Sequence, residues 1–144
     1  MISELTQDLI NKLKAVPAFQ NRVGAAVGGT EADPTMANAQ VPFAWVIYGG
    51  SAPTGEMRDG GKLYRETSYL FNVTIAIGYG NETDLLNTYL PVLESTQQAV
   101  AGRQAEGLSN AGLWEYQGEN FELVTPDRMV YTVRFSIIGY HLTT

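Results

Sequence analysis

Cysteine is absent from this 144-residue chain, and histidine occurs once, at His141. The first absence removes disulfides, thiol nucleophiles and thiolate-bound metals, and it fits a reducing compartment. The two together take away the usual zinc ligands and leave one histidine as a general base. No apolar run approaches the roughly 18 residues that a membrane-spanning helix needs. Cations are scarce too: nine Lys and Arg stand against fifteen Asp and Glu, for a net charge of −6. Such a surface keeps a protein soluble and repels nucleic acid. Glu4 and Asp8 interrupt the apolar pattern of the N-terminal segment. That does not suit a signal peptide and predicts a protein made in the cytoplasm, with no membrane partner.

The pattern that is present is that of one folded domain over residues 1–144. A chain of this size buries about two-thirds of its unfolded surface and needs no covalent staple. Ile2, Leu5, Leu9, Ile10, Leu13 and Val16 recur at helical spacing. Ser3 is placed to cap this helix, Asp8 and Lys12 stand four apart in the favourable order, and Pro17 ends it. Residues 20–40 are irregular, with a short extended piece read around Arg22–Val27. A buried strand is predicted over Val41–Tyr48, with Pro42 at its start. A long alternating strand is predicted from Leu63 to Gly78, with Tyr69, Phe71, Val73, Ile75 and Ile77 on one face.

A second helix is expected over about residues 82–102, capped by Asn81 or Thr83. Leu85, Leu86, Tyr89, Leu90, Leu93 and Val100 form its apolar stripe, Pro91 kinks it near Leu90, and Gly102 stops it. Strand pieces at Leu113–Tyr116 and Phe121–Val124 change parity, which predicts a bulge at Gly118. A turn at Thr125–Arg128 leads into a closing strand on which Met129, Tyr131, Val133, Phe135 and Ile137 alternate. The expected class is α+β: a mostly antiparallel sheet with two helices packed on one face.

Between the first two long strands lies Gly49–Gly61, too long and glycine-rich for a tight hairpin, so a long β-hairpin loop is expected at about 49–66. Gly50–Gly55 has the glycine spacing of a phosphate-binding loop, but Glu56 and Met57 occupy the positions that need Lys and Ser or Thr. Nucleotide binding is rejected on that ground. Arg58, Lys62 and Arg65 cluster, yet Glu56, Asp59 and Glu66 interleave with them, so no nucleic-acid stripe forms. The carboxylate pairs Glu31/Asp33 and Glu82/Asp84 lack calcium-loop spacing. His141 reads as a residue at the end of the last strand rather than a base. No catalytic residue, cofactor or metal ligand is expected. Glu56, Arg58, Asp59, Lys62 and Arg65 are the candidate contacts to another protein surface.

The order of elements carries one resemblance. The helix Ile2–Val16, the strand Val41–Tyr48 with its glycine-rich loop, the strand Tyr69–Gly78 and the closing Tyr131–Tyr140 together resemble the tail terminator proteins of long-tailed bacteriophages. The resemblance spans Ile2–Leu142 and rests on architecture. It implies a structural virion protein of the tail or neck and a homo-oligomeric ring, typically a hexamer. Such a ring caps the tail tube, stops its polymerisation and joins the tail to the head connector. The implied partners are the tail tube protein, neck proteins of the head–tail connector and, in contractile tails, the sheath protein. DNA would pass through the lumen without specific binding. Two alternatives stay open: another neck component, such as a head completion or connector adaptor protein, and a small ligand-binding α+β domain.

Overall fold

The computed structural model describes residues 1–26, 40–78, 85–124 and 128–142. The pairs Glu31/Asp33 and Glu82/Asp84, the caps Asn81 and Thr83 and most of the Thr125–Arg128 turn lie outside the described residues.

Helix α1 (Ile2–Lys14) buries Leu5, Asp8, Leu9, Ile10 and Leu13. Ile2, at the end of the predicted stripe, is exposed. Ser3 does not cap it; Met1 holds the cap position, with no side-chain bond. A 3₁₀ turn at Pro17–Phe19 follows, and left-handed Gln20 and Asn21 reverse the chain. Strand β1 (Val23–Ala25) then lies parallel to β2, with Val23 beside Ala44. Arg22 fixes that entry, its Nε donating to the Pro42 carbonyl at 2.9 Å.

The expected loop at 49–66 is strand. β2 runs Phe43–Asp59 and β3 runs Lys62–Gly78, paired along their length and joined by Gly60 and Gly61 alone. Both turn residues have positive φ, +59° and +78°, the requirement of a type I′ hairpin that only glycine meets at no steric cost. The other glycines of the segment serve register shifts at Tyr48/Gly50 and Pro53/Gly55. The density of glycine therefore marks bulges and a turn within strands. Gly50–Gly55, the near-match to a phosphate loop, is itself strand, and β3 follows it rather than a helix.

The second helical segment starts as a π-helical turn, Leu85–Tyr89, and becomes helix α2 (Leu90–Val100) with Pro91 in its first turn. The wider turn fits what Pro91 needs, since its ring clashes with the carbonyl four residues back and it has no N–H to donate. The widening also changes the helical phase. Tyr89, Val92, Leu93, Thr96 and Val100 are buried, whereas the predicted stripe members Leu86 and Leu90 are exposed.

Strands β4 (Glu115–Val124) and β5 (Arg128–Leu142) complete a five-stranded mixed sheet of order β1-β2-β3-β5-β4. Only β1–β2 is parallel. The bulge expected at Gly118 is present, as a register shift between Tyr116 and Glu119. One sheet face, carrying Phe71, Val73, Ile75, Tyr131, Val133 and Phe135, packs with the two helices into the main core. A smaller cluster of Phe43, Ala76 and Val130 sits on the other face.

A buried polar pin locks α1 to the segment before β4. Asp8 accepts from Trp114 Nε1 at 2.8 Å, from the Glu106 backbone N–H at 3.0 Å and from Lys12 Nζ at 2.8 and 2.9 Å. Trp114 is fully buried and meets Phe71 edge-to-face at 5.5 Å. Removing the carboxylate strands a largely buried ammonium and two N–H donors at the edge of the core. Asp8→Ala should cost about 3–5 kcal/mol, read as a lower urea midpoint. Asp8→Ala combined with Lys12→Met should recover part of that loss.

Candidate interaction surface

Beyond the reach of the helices, β2, β3 and the end of β5 continue as a three-stranded arm. Every residue from Ser51 to Lys62 is exposed. β5 supports the arm from Ile138, opposite Ser68, to Leu142, opposite Tyr64, so only its tip is a two-stranded ribbon. The five candidate contact residues all lie on it and are all exposed. Cross-strand register sets Glu56 opposite Arg65, Arg58 opposite Leu63 and Asp59 opposite Lys62. Alternation along the strands then divides them. Glu56, Arg58 and Arg65 share one face with Leu63. Asp59 and Lys62 share the other with Met57 and Tyr64. The unbroken β3 register makes the Arg58/Arg65 face continuous with Tyr69 and Phe71, on the helix side of the sheet.

The root of the arm is a clasp that no local sequence pattern reveals. Tyr69 Oη lies 2.6 Å from His141 Nε2. Tyr48 packs on Phe71 with ring centroids 5.4 Å apart. The lone histidine thus does more than end a strand: it ties β5 to β3 where the arm leaves the core. The tie depends on Gly139, because a Cβ there would lie 2.8 Å from Tyr69 Cε2. Burial, and then the neighbouring Tyr48, push the Tyr69 phenol above its ordinary value, against the pull of Arg65. The hydroxyl stays protonated at neutral pH and can donate to an unprotonated imidazole nitrogen. The signal for this clasp lay in the β3–β5 register, which is a tertiary fact.

A second exposed patch lies at the opposite edge of the sheet. β4 carries Glu115, Glu119 and Glu122 and has no Lys or Arg. Phe121 is 55% exposed and Tyr116 38%. Tyr116 packs against Phe135 at 6.2 Å, so it too faces the helix side. Burial and the Glu119 carboxylate raise its phenol pKa, while Arg134 opposes them. Gln97 of α2 donates to Glu119 at 3.2 Å, which brings α2 against this strand.

Among the described residues no group of three or more His, Cys, Asp or Glu could hold a metal ion, and no helix is long and apolar enough to cross a membrane. An open groove of about 700 Å³ runs beside α1 and the end of α2, past Lys12, Arg103 and Glu106. Its Asp8 wall is occupied by the Lys12, Trp114 and Glu106 bonds already described, and the Arg103 Nε donates to the Gln98 carbonyl.

No family model and no curated protein matches the sequence. Among solved structures, the fold is similar to that of a chain in the virion of a native gene transfer agent particle. The TM-score is 0.58 at 10% identity, over 94% of each chain. At that identity the likeness is one of fold.

Overpacking a filled site costs about 1–3 kcal/mol, so Gly139→Ala should destabilise the protein by that amount. Tyr69→Phe should cost less, about 1 kcal/mol for one hydrogen bond. Both should speed backbone amide exchange in the arm more than in α1, as measured by hydrogen–deuterium exchange.

Proposed function

We propose that this chain is a structural component of a virus-like particle, acting by binding rather than catalysis, and that its role is that of a tail terminator. A ring of copies, most simply six, would cap the tail tube, end its growth and offer the head connector a docking surface. The observation that carries the reading is the fold match across 94% of both chains to a chain of a gene transfer agent virion. The arm supports it. A ribbon exposed on both faces, yet braced by β5 and the Tyr69–His141 clasp, suits a contact element better than a substrate site. The candidate contacts Glu56, Arg58, Asp59, Lys62 and Arg65 would act there.

Placement elsewhere in the neck, as a head completion or connector adaptor protein, is the second reading. It rests on the same match, which is to a chain of the virion as a whole.

Six copies of the 15.7 kDa chain amount to about 94 kDa. Native mass measurement should find that species, and electron microscopy should find annular particles. Added to growing tail tubes of the particle that carries the chain, it should shorten them and co-sediment with their ends. Binding to isolated head connectors but not to tubes would favour the second reading. A variant with residues 56–65 replaced by Asn-Gly closes the hairpin at the Gly55/Glu66 pair. It should keep the helical and sheet signal of the parent but no longer arrest tube growth. Normal arrest by this variant would remove the arm from the mechanism.

A further inference from the structure

Within the ring reading, on which this step rests, the structure points to how one copy meets the next. The two exposed patches sit at opposite sides of the sheet, the arm on β2–β3 and the acidic strand β4 at the far edge. They are complementary. β4 carries no cation, and its Glu119, opposite Val133, shares the helix side with Tyr116 and Phe121, whereas Glu115, opposite Ser136, faces the other side and Arg134 of β5 lies beside the strand. On the arm, Arg58 and Arg65 share the helix-side face and Lys62 lies on the other. On the Arg58/Arg65 face of the arm, Glu56 is the one acid among them. Apolar surface accompanies the charge, with the half-buried Leu63 on that arm face and the exposed Phe121 and Tyr116 on β4. Arginine and aromatic residues are the types that most often anchor protein interfaces.

We infer that the arm of each copy docks through Arg58 and Arg65 onto the β4 strand of the next copy. The occupant of β4 is a second copy of this chain. Two arms meeting through this face would set one net-positive surface, Arg58 and Arg65 against a single Glu56, on another of the same sign. Arm on β4 joins two different surfaces, the heterologous contact that closes into a ring when the rotation permits.

The contact is made by side chains rather than by a shared ladder. β2 shifts register at Tyr48/Gly50 and Pro53/Gly55, and Pro53 has no N–H to offer. β4 shifts at Tyr116/Glu119 and Phe121/Leu123. Bulged edges of this kind resist strand addition.

The test is a charge swap read by sedimentation velocity across a concentration series. Arg58→Glu with Arg65→Glu forms the arm variant, and Glu119→Lys with Glu122→Lys forms the β4 variant. Circular dichroism melts establish that each is folded. Each variant alone should need at least about tenfold more protein to associate, because close interfacial charges of like sign repel. Raising the salt should weaken wild-type association. An equimolar mixture should recover wild-type association, because each reversed arm then meets a reversed β4 and each native arm a native β4. Such mixed rings alternate, so only even-numbered rings can form.

Wild-type association by either folded variant alone overturns the inference, as does a mixture of folded variants that fails to recover. A wild-type chain that stays monomeric throughout overturns it as well, while the virion reading is judged separately by co-sedimentation with tubes. An arm variant that forms normal rings yet fails to bind tubes would assign the arm to the tube instead.

Discussion

The unbroken antiparallel ladder between β3 and β5 is the constraint on which the rest of the molecule depends. Every residue from Tyr64 to Gly78 has a partner from Leu142 to Arg128, with no register shift. A one-residue slip would turn Phe71, Val73, Ile75, Tyr131, Val133 and Phe135 out of the core together. That collective cost fixes the register, and the register fixes the two faces. The helices pack on one of those faces. Because β5 outruns the helices, the same ladder continues past the core and holds the base of the arm. The arm is therefore an extension of the most firmly specified pairing in the fold.

The ladder alone does not decide how α1 lies on the sheet. An apolar stripe can slide or rotate on an apolar surface at little cost, since hydrophobic contact is non-directional. The buried Asp8 supplies direction. Its two oxygens accept from Trp114 and Glu106, both outside the helix, and from Lys12 one turn along it. A misplaced helix would take the acceptor from the Glu106 N–H and from the buried Trp114 indole N–H, and a buried donor left unpaired costs more than a lost surface contact. Trp114 carries this polar tie and at the same time fills the space over Phe71. One side chain thus connects the directional bond to the packed core.

What the sequence made legible follows the same physics. α1, β3 and β5 were readable because one face of each is buried, so burial is written as periodicity. Pro91 and Gly118 were readable because each imposes a local backbone rule. The stretch 49–61 was not readable as strand, because the arm is exposed on both faces and nothing forces alternation there. Its glycines then looked like loop when they serve bulges and a type I′ turn. Leu86 and Leu90 belong to the buried stripe of a regular helix, and the π-helical turn before Pro91 changes the phase and exposes them. Of the candidate site, the charged residues were visible in sequence, but their division between two faces was not. The Tyr69–His141 tie was invisible, since it joins residues 72 positions apart through the ladder. Asp8 looks in sequence like half of an ordinary i,i+4 pair, because its other partners, Glu106 and the buried Trp114, lie about a hundred residues away.

An exposed ribbon of this kind gains little from burial, yet its backbone entropy is lost on ordering all the same. Its order must come from the ladder it extends and from the clasp at its root. An exposed strand pair is also a hazard, because free edges invite indiscriminate pairing. The arm answers that hazard with bulges, Pro53 and interleaved charge, and β4 answers it with bulges and three glutamates. Each device blocks the backbone route to association and leaves the side chains as the means of recognition. Side chains discriminate between surfaces where a backbone ladder does not. Two blunted edges at opposite sides of one sheet, one acidic and one with a net-positive face, are consistent with selection for one particular contact and against all the others.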